Sequence, residues 1–342
     1  MVSFRGADLL FSGSHVGYDR NIRSRFMITV LVTQPQYDKV REVFEHAEGF
    51  QCFPAPESEP ELARLVREKH AKYVIVGGAP YRNELYDAVP KGGVIARFGV
   101  GCDNIDLPRT AEKGIYCTNT PGALEQSVAE CAIGMILLAA RQFIAAADDC
   151  RNGLWQPQTG CELAGKTLAV IGCGAIGSRI AAIAKNGFGM SVTGVIRSAP
   201  RPDCPADRFV KNWSDAVADA DFVSLHIPGS PENLNYVSTG RLKQMKPGSW
   251  LINTARGSVV DEAALYDALL SGRIGGAVSD VFRQEPYAPS GKDLRTLPNM
   301  IMTPHIGSST REACRRIALA ALKNIRLCEL GDPLSMNLLN PR

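Results

Sequence analysis

The chain has no CxxC pair, no dense run of Lys and Arg interleaved with aromatics, and no apolar stretch of membrane-spanning length. Each absence excludes something. Its ten cysteines are scattered from Cys52 to Cys328, so the paired close ligands of a zinc site are missing and no metal is expected. Several, such as Cys131 and Cys173, lie in apolar runs and read as buried free thiols kept reduced in a cytoplasm. With a net charge of only +3 and no basic block, nothing points to nucleic acid. The longest apolar run, Cys131 to Ala140, falls short of the about 20 residues that cross a bilayer, so no membrane partner is expected. Residues 1–26 lack both helical periodicity and the apolar core of a signal peptide. They read as a tail without regular structure ahead of a start at Met27, or as a basic, Ser-containing transit peptide, against which Asp8 and Asp19 count.

What is there is ordinary in bulk and specific in detail. The 342 residues, 45% hydrophobic and 21% charged, suffice for two domains with a core each. From Met27 onward, short apolar runs alternate with helical patterns. Strands are expected at Ile28 to Val32, Tyr73 to Val76 and Val94 to Ala96, with helices over Pro35 to Glu45 and Glu61 to Lys69. A second series begins at Thr167 to Ile171 and continues at Ser191 to Val195, Phe222 to His226, Trp250 to Asn253, Gly276 to Ser279 and Met300 to Thr303. Strands separated by helices imply βαβ units and parallel sheets. The expected fold is therefore α/β, with two doubly wound, Rossmann or flavodoxin-like domains, the first interrupted by the second. The limits expected are 1–26 for the extension, 27–120 plus 307–342 for the first domain, and 121–306 for the second.

Two helices carry this division. One, capped by Ser308 or Ser309 and ended at Gly331 before Pro333, closes the chain and returns to the first domain. The other is expected as one long helix from Gly122 to Ala147. Its turns from Ala129 to Ala140 have no polar face, so it either threads the domain junction or packs against a second subunit.

Gly172-Cys173-Gly174-Ala175-Ile176-Gly177 is a GxGxxG that follows an apolar strand and opens a helix. In that context the first glycine allows a tight turn, the second a close backbone approach to a pyrophosphate, and the third close packing of helix on strand. The helix N-terminus adds free N–H groups and a partial positive charge. An NAD site usually carries Asp or Glu about 20 residues on, to accept the ribose hydroxyls. Here that position holds Ile196, followed by Arg197 and Ser198, which suit a 2′-phosphate. The expected cofactor is NADP, with NAD possible.

Three segments then fall at or just after expected strand ends, where an open α/β sheet forms its ligand crevice. They are Asn253-Thr254-Ala255-Arg256-Gly257, Asp280-Val281-Phe282 with Glu285-Pro286, and Thr303-Pro304-His305-Ile306-Gly307. Together with Arg97-Phe98-Gly99-Val100-Gly101-Cys102-Asp103-Asn104, Asn119-Thr120-Pro121-Gly122 and Leu225-His226-Ile227-Pro228, they make the sequence resemble the D-2-hydroxyacid dehydrogenases from Met27 onward.

That resemblance implies an oxidoreductase moving hydride between NAD(P)H and a small 2-oxo or 2-hydroxy acid of D configuration. It places the catalytic roles on Arg256, Glu285 and His305. Arg256 has a planar fork suited to carboxylate and ketone oxygens. His305 can protonate the developing alkoxide, and Glu285 can hold its other ring nitrogen. Val100 and Gly101 would bind the substrate carboxylate through N–H groups, with Gly77 and Gly78 nearby. Ala175 and Ile176 would meet the pyrophosphate, His226 and Pro228 would line the dinucleotide site, and Asp280 and Thr254 would lie at the nicotinamide amide. The family also implies a homodimer joined through the cofactor domains, by the region of the Gly122 to Ala147 helix. Asp103 reads as a turn-stabilising side chain, and His15, His46 and His70 as surface residues.

Within the family, Glu285 disfavours the formate dehydrogenases, which carry glutamine there, and Val100 disfavours the phosphite dehydrogenases. A glyoxylate/hydroxypyruvate-type reductase is the expected branch. A phosphoglycerate dehydrogenase-like enzyme is the alternative. Against it, Gly77-Gly78-Ala79-Pro80 offers no phosphate clamp, although Arg82 lies close, and the long C-terminal regulatory extension is lacking. A dinucleotide-sensing corepressor is the competing non-enzymatic class.

Overall fold

The structure is a computed structural model and describes residues 27–199, 201–289 and 291–340; the expectations for residues 1–26, His15 included, lie outside it. Five strands form the first sheet: β1 Ile28–Thr33, β2 Phe50–Ala55, β3 Tyr73–Val76, β4 Val94–Arg97 and β5 Tyr116–Thr118. Their order is β2-β1-β3-β4-β5 and every pairing is parallel. Seven strands form the second: β6 Thr167–Ile171, β7 Ser191–Val195, β8 Arg208–Val210, β9 Phe222–Leu225, β10 Trp250–Asn253, β11 Gly276–Ser279 and β12 Met300–Met302. Their order is β12-β11-β10-β9-β6-β7-β8, again all parallel.

Both sheets are doubly wound. The chain runs outward from the β1–β3 pair in one and from the β6–β9 pair in the other. Each winding reversal leaves a crevice at the carboxyl ends of the strands. The inner strands are buried on both faces, as parallel sheets require. Val74, Ile75, Val94, Ile95, Leu168, Val170, Val223 and Ile252 are all fully buried.

The closing helix, Arg311–Glu329, lays Ala313, Ile317, Ala318, Ala321 and Ile325 on the core of the first sheet. Its N-cap is Thr310, whose side chain accepts from the Ala313 N–H, and not Ser308 or Ser309. Gly331, at φ +76, follows its end. The last described residues return as well: Leu338 bridges Thr118, and Asn340 bonds Cys117, Thr110 and Ile115.

The long apolar helix is two helices. Glu125–Arg141 ends at Gln142 in the left-handed region, and Phe143–Arg151 continues at an angle of 63°. Once Gln142 turns left-handed, the helical hydrogen-bond ladder cannot run on. The first helix buries Val128 against the first sheet's core and Ala132, Ile133, Ile136 and Ala139 against the second's, so the missing polar face is accounted for by packing within the chain. No single helix among the described residues is long and apolar enough to cross a membrane; this bent pair passes by length and composition taken together.

The stretch from Pro35 to Glu45 is likewise two helices, Gln34–Lys39 and Arg41–Glu45, broken at Val40. All ten cysteines are free, but only four are buried, and Cys150 is exposed.

Candidate active site

The second sheet's winding reversal is built tightly. Gly172 follows β6 with φ +97, and a Cβ on it would lie 2.7 Å from the His226 carbonyl oxygen at the end of β9. A Cβ on Gly177 would lie 2.1 Å from the Gly172 carbonyl oxygen. Beside Gly174, which caps the helix Ala175–Phe188 without a side-chain bond, a Cβ would meet nothing within 4 Å. So the outer glycines are sterically required by the protein itself, and the middle one faces open space at an uncapped helix N-terminus. That is the cradle a dinucleotide pyrophosphate needs.

Alongside lies a cleft of about 390 Å³ between the two sheets. The first sheet contributes the loop after β4, with Arg97, Val100, Gly101 and Asp103. The second contributes Ile176, His226, Pro228, Thr254, Arg256, Asp280 and His305. Gly77 and Gly78 do not line it. Gly77 is buried against the Gln36 side chain, and its carbonyl accepts from Asn104. Arg197 and Ser198 follow β7 on the exposed rim, where Arg197 Nη1 stands 3.6 Å from a Glu232 carboxylate oxygen.

Arg256 is positioned by its own turn. Buried Asn253 donates to the Arg256 carbonyl and accepts from the Ala255 N–H. The guanidinium donates from Nε to Asp103 at 2.6 Å and from Nη1 to the Ala255 carbonyl at 2.7 Å. Nη2 lies over Gly101, where a Cβ would sit 1.2 Å from it. The Val100 and Gly101 N–H groups meet no partner among the described residues.

His305 stands in a turn with φ +55. Its N–H donates to the Asp280 carbonyl, and the buried Asp280 carboxylate accepts from Thr303 Oγ1 and from the Ile306 and Gly307 N–H groups, all within 2.5–2.8 Å. Asp280 thus orders the backbone that aims the imidazole. The ring's Nδ1 lies 2.6 Å from Glu285, leaving Nε2 toward the cleft. Burial works to raise the Glu285 pKa. The His305 bond and charge, the Phe282 N–H and Arg256 outweigh it, so the carboxyl titrates below its ordinary value.

His226 is different. Burial pushes its pKa down to about 3, and Nε2 is 2.7 Å from the buried Ser224 hydroxyl. It is a neutral ring with that nitrogen already engaged. His46 and His70 are exposed.

The buried Thr254 Oγ1 has no partner, an orphan suited to a polar ligand group at this edge of the cleft. The arrangement can hold a carboxylate between backbone N–H groups and a guanidinium, beside an imidazole backed by a carboxylate. Among the described residues, no cluster of three His, Cys, Asp or Glu could hold a metal.

Sequence reasoning missed two participants. Asp103 reaches Arg256 across 153 residues, and no local pattern signals such a pair. Arg97 had a signal that went unused: a cation ending an apolar parallel strand points into the crevice.

Comparison with known proteins gives one answer. Residues 133–307 match the family model described as "D-isomer specific 2-hydroxyacid dehydrogenase, NAD binding domain". A glyoxylate reductase of Thermococcus litoralis is 35% identical over 323 residues, covering 91% of this chain and 96% of its own. A hydroxypyruvate reductase of Thermotoga maritima is 36% identical over 79% of this chain and 88% of its own. Among solved structures, a D-lactate dehydrogenase of Aquifex aeolicus complexed with NAD and lactic acid is similar with a TM-score of 0.80, at 28% identity, covering 92% of this chain and 99% of its own. An NADPH-dependent glyoxylate/hydroxypyruvate reductase of Sinorhizobium meliloti, complexed with NADP and malonate, has a TM-score of 0.75 at 30% identity, covering 87% of this chain and 92% of its own.

Proposed function

The chain belongs to the D-isomer specific 2-hydroxyacid dehydrogenase family, and we propose that it reduces a small 2-oxo acid of the glyoxylate or hydroxypyruvate kind, and oxidises the D-2-hydroxy acid in reverse. The observation that carries this is the meeting of Arg256, the Glu285–His305 pair and the free N–H groups of Val100 and Gly101 in one cleft. A bound nicotinamide dinucleotide would supply or accept the hydride. The N–H groups of Ala175 and Ile176 would hold its pyrophosphate beside Gly172, Gly174 and Gly177, with His226, Pro228, Thr254 and Asp280 along its nicotinamide half. The domain limits follow: 27–120 plus 307–342 for the acid, 121–306 for the cofactor.

Arg256 Nη2 and the two N–H groups would fix the substrate carboxylate. His305 Nε2 would give its proton to the carbonyl oxygen as charge develops there. Glu285, ionised well below neutrality, holds the ring in one orientation throughout. The test is oxidation of NADH or NADPH dependent on glyoxylate or hydroxypyruvate. A purified protein that oxidises neither with any 2-oxo acid would leave the binding-protein reading in its place.

For the cofactor, we propose NADP with NAD as the weaker partner. Ile196 gives the ribose diol no acceptor, and the Arg197–Glu232 pair is exposed on both sides and weak. Arg197 is therefore cheaply redirected to a 2′-phosphate. A charged contact of about 1.5–3 kcal/mol implies at least roughly a tenfold preference for NADPH in kcat/KM. Ile196→Asp with Arg197→Ala should reverse it, and Glu232→Gln should enlarge it. Equal values for both cofactors, or no shift in the double variant, would remove this loop from the choice.

We also propose a homodimer, in a reducing cytoplasmic setting that ten free thiols support. Phe143, Ile144, Leu154 and Trp155 are exposed around the bent helix pair, Trp155 to 90%, a patch suited to a second copy. Light scattering at micromolar concentration should give twice the chain mass; a monomer would refute it.

A further inference from the structure

The donors that would hold the substrate carboxylate come in two halves from different sheets. The Val100 and Gly101 N–H groups belong to the loop after β4, and Arg256 to the turn after β10. Each half is tied down on its own side. Asn119 donates to the Val100 carbonyl, the Thr120 N–H to the Gly99 carbonyl, and the Asn104 amide to the carbonyls of Gly77 and Ala79. Across the cleft, the Arg256 stem lies over Gly229, where a Cβ would fall 2.8 Å from Cγ, and Nη1 donates to the Ala255 carbonyl at 2.7 Å. What joins the two halves is Asp103. It belongs to the same loop as the N–H groups, and its carboxylate accepts from Arg256 Nε at 2.6 Å.

Both members of this ion pair are partly exposed, and such pairs add little to stability. Its geometric effect is larger. A guanidinium held at Nη1 alone can swing about that bond; a second hold at Nε fixes its plane and leaves Nη2 over Gly101. Resting on the dehydrogenase reading, we propose that Asp103 is a positioning residue: it sets Arg256 in register with the Val100 and Gly101 N–H groups, so that one substrate carboxylate meets donors from both sheets at once. Asp103 acts through Arg256 and touches no reacting atom. Because its loop is tied down, the length of its side chain decides where Nε comes to rest. Reach therefore matters more than charge.

The experiment is steady-state kinetics of the whole protein with glyoxylate and hydroxypyruvate, on variants that separate reach from charge. Asp103→Asn keeps the reach and an acceptor oxygen but no charge, Asp103→Glu keeps the charge and overshoots by a methylene, and Asp103→Ala keeps neither. Asp103→Ala should lower kcat/KM by about 10²-fold, the loss expected when a substrate-binding group shifts by roughly 1 Å, with more of it in KM than in kcat. Asp103→Asn should lose at most about tenfold, since it keeps the hydrogen bond and gives up only its charge assistance. Asp103→Glu should lose nearly as much as Asp103→Ala. Tm and the NADPH dissociation constant should stay near wild type in all three. In an Arg256→Gln background, Asp103→Ala should cost less than about threefold, because nothing is left to position. Full additivity with Arg256→Gln overturns the proposal, as does an Asp103→Glu that matches wild type while Asp103→Asn matches Asp103→Ala. A large fall in Tm shared by the variants would make Asp103 a loop-stabilising residue and overturn it too. An active wild type whose Asp103→Ala keeps its kcat/KM overturns this inference alone; a wild type that reduces no 2-oxo acid overturns the dehydrogenase reading and this inference with it.

Discussion

His305→Gln should lower kcat for 2-oxo acid reduction by about 10²–10⁴-fold, the usual cost of losing a positioned general acid, while the dissociation constant for NADPH stays near its wild-type value. The reason is geometric. Nδ1 is committed to Glu285 at 2.6 Å, and the φ +55 turn, tied down by Asp280, leaves Nε2 in the cleft with Arg256. No other histidine among the described residues can take over. His226 is held neutral and bonded to Ser224, and His46 and His70 are on the surface. Glutamine keeps the size and a donor but cannot exchange a proton near neutral pH. Stopped-flow hydride transfer and cofactor fluorescence separate the two quantities; a variant retaining most of the wild-type kcat would move the acid role elsewhere.

The parts of the fold legible in the sequence, and the parts that were not, follow one physical division. The inner strands β1, β3, β4, β6, β7, β9, β10 and β11 read correctly because a parallel strand covered on both faces carries few charged or strongly polar positions. The three strands not anticipated, β2, β5 and β8, all lie at sheet edges. β2 carries Pro54 and exposed Gln51, which an edge tolerates and an inner strand does not. β5 and β8 are three residues long, too short to show a pattern, and β8 has no buried residue. The break at Gln142 was hidden because a residue with ordinary helical propensity adopts a left-handed conformation there, which only tertiary context dictates.

The site divides in the same way. The GxGxxG and the residues at strand ends are local patterns and were legible. The bond from Asp103 to Arg256 joins residues from different sheets, and no periodicity encodes it. Gly101 shows the difference in one residue. From sequence it is a loop glycine beside a carboxylate site. In the structure its missing side chain is what gives the Arg256 guanidinium its place.

Gly101→Ala should therefore lower kcat/KM for the oxo acid by about 10²-fold, the loss expected from displacing a substrate-binding group by roughly 1 Å. A Cβ at Gly101 would fall 1.2 Å from Arg256 Nη2 and 2.5 Å from Cζ, so the guanidinium must move. It cannot move freely, since Nε is bound to Asp103 and Nη1 to the Ala255 carbonyl. Backbone strain is not the cause, because Gly101 is not among the glycines with positive φ. The loss should thus fall on KM as well as kcat, with little change in Tm and none in cofactor affinity. Gly187→Ala is the control: it lies in the helix Ala175–Phe188, where an added Cβ meets nothing within 4 Å, and it should leave the kinetics as they are while raising Tm slightly, as replacing a helical glycine does. If Gly101→Ala keeps most of its kcat/KM, Arg256 does not need this glycine to hold its substrate, and the carboxylate site must be built from other groups in the cleft.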